Sequence, residues 1–271
     1  MLDARRDELP EMAWSSRAAS ATTAMDDHRR GVRTCCIALL VWLVAAGVAA
    51  ADPPSKEFWP EVDTWLRLSP AWRLSVFVPL SENLDTNYRE GNLILQADYA
   101  WSESNRNRRL IDEGRTKAMK IWLLRGGYLG GKSLDDGGAE YTEYTSFAEL
   151  HLRLPLKGGV LLSHRLRPEL RWLGEGDSEL ATRWRYRLLA EKEFKTGRGS
   201  IVPYLSVEPY FDSRYETVNR LRLIGGASVA WSPRAAIETN VTYQHDSHSS
   251  TEELFALNVI LHVFFDMSRH P

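Results

Sequence analysis

The sequence predicts an all-β fold: a transmembrane, antiparallel, up-and-down β-barrel of ten or twelve strands. Three observations predict it. The first is a long period-two alternation. Val160, Leu162, His164, Leu166, Pro168, Leu170 and Trp172 form one mostly apolar set, and Leu161, Ser163, Arg165, Arg167, Glu169 and Arg171 form the set between them. A strand of ~10 or more residues, apolar on one face and ionised on the other, suits a closed barrel in lipid better than a soluble sandwich. The second is a leader at the N-terminus, and the third is an apolar face on the last segment.

The leader reads as a secretory signal. Arg29, Arg30 and Arg33 precede the apolar run Cys35–Val48, and Ala49-Ala50-Ala51 then offers a small-residue cleavage site. The run is shorter than the ~20 residues of a transmembrane helix. Residues 1–24 fit no part of this layout, so they are expected to be a non-translated or disordered extension, with translation starting at Met25. The expected division is therefore extension 1–24, signal peptide 25–51 and barrel 52–271. Both cysteines, Cys35 and Cys36, fall inside the signal, so disulfide and thiolate chemistry is not expected in the exported chain. The balance of 34 basic and 36 acidic residues argues against a nucleic-acid partner.

Along the rest of the chain, candidate strands fall at 59–68, 72–79, 91–101, 118–128, 141–154, 160–173, 181–194, 200–212, 216–231, 235–246 and 254–265. The connections alternate in length. Ser69–Ala71, Pro155–Gly159, Lys195–Gly199 and Ser232–Arg234 are tight. The segments 81–90, 130–140, Gly174–Leu180, Ser213–Tyr215 and Ser247–Glu253 are mostly longer and more polar, as for periplasmic turns and outer loops. The candidates number eleven, whereas single-chain bacterial barrels have an even count. Counting back from the C-terminus also puts 102–117 on the turn side, where it is too long. One strand near 58–118 is therefore expected to be split or merged, giving ten or twelve.

In the last segment Leu257, Val259, Leu261, Val263 and Phe265 form an unbroken apolar face. This looks like the closing strand that barrel-assembly machinery reads, although six residues follow Phe265. Trp65, Trp72, Trp101, Trp122, Trp172, Trp184 and Trp231 lie at strand ends, where an aromatic girdle would meet lipid headgroups. The expected partners are outer-membrane lipids and that machinery.

The polar faces assign a lumen lining: Glu149, Arg153, Arg165, Arg167, Glu169, Arg171, Arg183, Arg185, Arg187, Glu191, Glu208, Arg220 and Arg222. Two readings compete. One is a channel whose arginines select anions. The other is a narrow interior filled by mutually neutralising charges, and the mixed signs favour it.

No P-loop, dinucleotide fingerprint or zinc-binding His-Glu-x-x-His occurs, and no cofactor is expected. The Gly-Gly pairs at 126–127, 130–131 and 137–138 read as turns at strand ends. One constellation carries possible chemistry. His245 and Ser247, two residues apart on one strand, share a face, and outer-membrane lipid hydrolases carry such a His-x-Ser pair. Those enzymes follow the serine with Asn; here His248 stands there. The polar-turn reading is preferred, and lipid deacylation through His245 and Ser247 stands as the alternative.

The order of several segments is familiar. Phe58-Trp59-Pro60-Glu61-Val62, Leu68-Ser69-Pro70-Ala71-Trp72-Arg73-Leu74, Arg167-Pro168-Glu169-Leu170-Arg171, Arg183-Trp184-Arg185-Tyr186-Arg187, Pro203-Tyr204, Glu208-Pro209-Tyr210-Phe211 and Asn219-Arg220-Leu221-Arg222 lead to the final strand. Together they resemble the bacterial outer-membrane family catalogued as domain of unknown function 2490. The resemblance implies a β-barrel in the outer membrane of a Gram-negative bacterium. It implies no activity and carries over no site residues.

Overall fold

A computed structural model describes residues 54–104, 119–135, 142–174, 179–196, 199–248 and 252–267. The expected extension 1–24 and signal 25–51, with Cys35 and Cys36, lie outside these residues. So do most of 102–117 and of the loop around Gly137-Gly138.

The strands are β1 (Ser55–Arg67), β2 (Trp72–Asn83), β3 (Arg89–Ser104), β4 (Met119–Ser133), β5 (Thr142–Pro155), β6 (Val160–Leu173), β7 (Glu179–Lys192), β8 (Phe194–Thr196), β9 (Gly199–Asp212), β10 (Thr217–Ala230), β11 (Ala235–Asp246) and β12 (Glu253–Asp266). β8 is three residues long and pairs with β9 in line with the end of β7. Eleven strands therefore form the wall. Each pairs antiparallel with the next along the chain, and β1 closes the barrel against β12 in parallel.

The count falls between the ten and twelve expected. Among the described residues near 58–118 no strand is split or merged: β3 and β4 are direct neighbours, paired from Glu90↔Ser133 to Ser104↔Met119. The even-number rule assumes that the first and last strands run in opposite directions. Eleven up-and-down strands leave them running the same way, so the seam must be parallel.

The strand faces follow the pleat. Val62, Leu74, Val76, Leu95, Leu124, Leu150, Leu166, Leu205, Ile237, Val241, Leu257 and Leu261 all point outward and are exposed. An apolar belt of this extent has lipid as its natural solvent, and closure leaves no unpaired sheet edge within it. The inner face is its opposite, with charged and polar side chains buried on every strand of the wall. At the turn end, Gly158 and Gly159 adopt φ of +79° and +78°, which permits the tight Lys157–Gly159 connection.

On the outer face Trp72, Tyr99, Trp101 and Trp122 form a row near the turn end, with successive ring centroids 4.9, 5.6 and 6.2 Å apart. Trp172, Trp184 and Trp231 also face outward, as strand parity requires. Trp65 departs from the expected girdle. It is 4 % exposed and points inward, packed edge-on against Phe77 at 4.7 Å and beneath the Arg73 guanidinium at 4.4 Å. Its position beside a turn resembles that of Trp72, but it shares the face of Asp63, and parity decides.

Inside, Gly127 admits Phe147. A Cβ at Gly127 would lie 2.3 Å from Phe147 Cζ and 2.9 Å from the Leu95 carbonyl oxygen. Gly127→Val should therefore lower stability by about 1–3 kcal/mol through overpacking, read from the urea midpoint of the refolded barrel. The parallel seam has its own test. Oxidation should cross-link both Phe58→Cys/Leu257→Cys and Val62→Cys/Leu261→Cys, since both pairs are in register on the lipid face. Cross-linking of only one of them, together with Phe58→Cys/Phe265→Cys, would mean antiparallel closure.

Candidate functional site in the barrel lumen

The lumen is organised by buried carboxylates, each surrounded by arginines from neighbouring strands. Asp98 on β3 accepts from Arg73 on β2 and from Arg125 Nε on β4 at 2.6 Å. Arg125 continues to Glu149 on β5 at 3.1 Å. Glu149 also accepts from Arg165 at 3.3 Å and Arg167 at 3.0 Å, both on β6, and meets His151 Nε2 at 2.8 Å. Glu169 on β6 accepts from Arg183, and from Arg185 at 3.1 Å. Glu208 on β9 accepts from Arg185 Nε at 2.9 Å and from Arg165. Closer to the loop end, Glu143 takes both Nε and Nη2 of Arg171 at 2.9 Å. A carboxylate removed from water is costly unless its oxygens meet several charged donors, and these do.

Some of these contacts are chords that skip a strand. Arg165 reaches from β6 over β7 to Glu208 on β9, and Arg171 does the same to Asp212 at 3.2 Å. Tyr204 on β9 donates to Glu238 on β11. Arg222 on β10 places its guanidinium 5.2 Å from the Trp59 ring on β1. Chords fill the cross-section, whereas ladder pairs only line the wall.

Two spaces remain. Near the loop end, Arg171, Arg183, Arg214, Arg220, Asp212 and Asp246 surround 160 Å³. Asn219 is an extra residue there, where the β9–β10 register shifts between Val218 and Arg220. The bulge lets two consecutive residues address Asp246: Asn219 Nδ2 donates at 3.3 Å and Arg220 Nε at 2.7 Å. Deeper lies a cavity of 420 Å³. Tyr210, 1 % exposed, stands between the two. Its ring has Arg183 and Arg220 of the outer space at 5.6 Å, and Arg185 and Arg222 of the deeper cavity at 4.5 and 5.3 Å.

The deeper cavity has a second wall made by β11, β12 and β1. Glu238, Asn240, Thr242, Asn258, His262, Asp63 and Glu61 line it. His262 bridges the parallel seam, with Nδ1 3.2 Å from Asp63 and Nε2 3.4 Å from Glu238.

All thirteen residues assigned from sequence to the lumen lie on the inner face, buried or half-buried. Sequence reasoning passed over Arg73, Asp98, Arg125, Glu143, Asp63, Glu61 and Glu238. Their signal was present: Trp59, Glu61, Asp63 and Trp65 alternate on β1, and Glu238, Asn240, Thr242 and Gln244 on β11.

His245 and Ser247 do not form a pair of base and nucleophile. His245 faces outward between Leu221 and Glu253 of the flanking strands. Ser247 lies past the end of β11. Its hydroxyl donates to the Asn219 carbonyl at 3.2 Å and meets His248 Nδ1 at 2.9 Å. His248 in turn stacks on Tyr215 at 4.3 Å, so the segment is built as a turn. Among the described residues no cluster of three or more His, Cys, Asp or Glu is arranged to hold a metal ion.

At the rim of β3, Arg89 clamps Asp135, which follows β4. Nη2 and Nε donate at 2.8 and 3.1 Å, and the Arg89 backbone N–H donates at 2.6 Å. These bonds hold the Asp135 carboxyl below the usual carboxylate range.

Residues 58–254 match the family described as "Protein of unknown function (DUF2490)". The match covers most of the chain, which therefore belongs to that family. Comparison with curated proteins gave no match.

Three predictions test this electrostatic arrangement. Glu149→Ala should cost about 3–5 kcal/mol, because it leaves buried arginines without their counter-charge. Arg89→Ala, at the exposed rim, should lower the urea midpoint only slightly. The Asp135 carboxyl should titrate below an unperturbed aspartate in NMR. Since its folded pKa is lowered, the clamp contributes fully above the unfolded pKa and is lost as pH falls through the lower, folded one. A midpoint at or above the ordinary value would contradict the clamp.

Proposed function

We propose that this member of the DUF2490 family is an exported outer-membrane barrel whose own side chains largely fill its lumen. It acts as a structural barrel or a narrow small-solute channel, and neither as an open diffusion pore nor as a hydrolase. The observation that carries this reading is the set of chords, above all Arg165 to Glu208 and Arg222 to the Trp59 ring. An eleven-stranded wall is much narrower than that of the 16-stranded porins, and arginine side chains spanning it occupy the cross-section.

Outer-membrane lipids are the partners of the apolar belt. The closing strand, with Leu257, Val259, Leu261, Val263 and Phe265 on its outer face, is the element offered to the assembly machinery. The arrangement of Ser247 against the Asn219 carbonyl supports a turn and not a pairing with His245.

In planar bilayers the wild-type protein should give little steady current. Arg165→Ala/Arg185→Ala should raise it several-fold, if those side chains close the passage. A large ohmic conductance from the wild type would reject the filled-lumen reading. Ser247→Ala and wild type should be alike in lacking phospholipid and lipid A deacylation; activity lost on that substitution would restore the hydrolase.

A further inference from the structure

We propose that the 420 Å³ cavity is a binding site for a small zwitterion, whose anionic group meets Arg187 and Arg222 and whose ammonium meets Glu61 and Asp63. The inference stands whether or not the barrel conducts.

Most charges in the lumen are matched within the protein. These four are not. Arg187 pairs with no carboxylate among the described residues, and its Nε is buried without a hydrogen-bond partner. Arg222 donates to the Gln244 amide oxygen at 2.6 Å, a neutral acceptor, and also pairs with no carboxylate among the described residues. On the opposite wall Glu61 shares a hydrogen bond with Asp63 and lies near Glu238, so three acids have one histidine between them. Asp63, 5 % exposed, leaves Oδ1 buried and unpartnered. The Trp65 indole N–H beside it is unpartnered as well. His262 on this wall is a basic group shared between Asp63 and Glu238. Buried polar atoms are nearly always bonded to something, so orphans that converge on one cavity mark a place for a ligand.

The signs select its chemistry. An anion alone would answer Arg187 and Arg222 but face three carboxylates; a cation alone would do the reverse. A molecule carrying both charges answers both walls. Spacing sets its size. The Arg222 guanidinium lies 5.2 Å from the Trp59 ring, and Trp59 sits two residues before Glu61 on the same face of β1. Two residues of strand advance about 7 Å. Arg222 thus lies near the strand segment that carries Glu61, as a short zwitterion such as an α-amino acid or phosphoethanolamine requires. The cavity volume lies in the lower part of the range for small-ligand sites, roughly 300–1,000 Å³.

The test is calorimetric titration of the folded full-length barrel in non-ionic detergent at pH 7 and low salt. The probes are glycine, phosphoethanolamine, inorganic phosphate, acetate and ethylammonium. A zwitterion should bind saturably and at least about tenfold more tightly than any singly functional ion. Glu61→Gln and Arg187→Gln should each weaken it by about tenfold or more. Glu61→Gln should at the same time strengthen phosphate binding, a reversal that a merely structural role would not produce. Heat-modifiable mobility in electrophoresis verifies that each variant is folded, and if one is not, the other decides. Zwitterions that fail to bind the wild type, that bind no better than phosphate, or that bind both variants as they bind the wild type would overturn the proposal. A conducting wild-type barrel with intact zwitterion binding would reject only the filled-lumen reading.

Discussion

Glu149, Glu169 and Glu208 let Arg125, Arg165, Arg167, Arg183 and Arg185 share one narrow lumen. Each carboxylate accepts from two or more guanidinium groups, and Arg125, Arg165 and Arg185 each serve two carboxylates. Lipid outside leaves the ionised face of every strand only one way to point. Once there, the charges must be neutralised by one another, because an isolated buried ion is far more costly than a paired one. The same requirement sets the cross-section. Long arginines fixed between carboxylates on different strands cannot fold back against the wall.

Closure imposes the second condition. With eleven strands, β1 and β12 run in the same direction and meet along Ser55–Arg67 and Leu254–Asp266. The seam lies beside the wall in which acids outnumber their partners, and His262 joins β12 to both of its neighbours through Asp63 and Glu238. The lumen is therefore asymmetric. Its β4–β9 side is a dense network of arginine–carboxylate pairs, and its β11–β12–β1 side gathers Glu61, Asp63 and Glu238 around His262. Overall neutrality conceals a transverse separation of charge, and that separation gives the cavity its selectivity.

Much of this was legible along the chain. The strand Val160–Leu173 was read at its observed bounds, and the inward set Arg165, Arg167, Glu169 and Arg171 followed from counting by two. Trp65 lies beside a turn, as a girdle residue would, but parity puts it on the inner face with Asp63. The acids of β1 were passed over because Glu61 and Asp63 alternate with Pro60, Val62 and Thr64, a weaker apolar face than that of β6. Asn219 breaks the count at a bulge, which no local pattern announces. His245 and Ser247 share a spacing, but the strand ends between them, so Ser247 turns toward Asn219 and His248.

By itself the sequence determined which side of each strand meets lipid, since that choice depends only on alternation within one strand and on the cost of charge in hydrocarbon. It also determined that the interior would hold both signs of charge. Tertiary structure alone decided that eleven strands close in parallel, that Arg165 reaches Glu208 and Arg222 reaches Trp59, and which charges remain unmatched. Those outcomes depend on neighbours brought together by closure from strands far apart in sequence, and the pattern within any one strand carries no information about them.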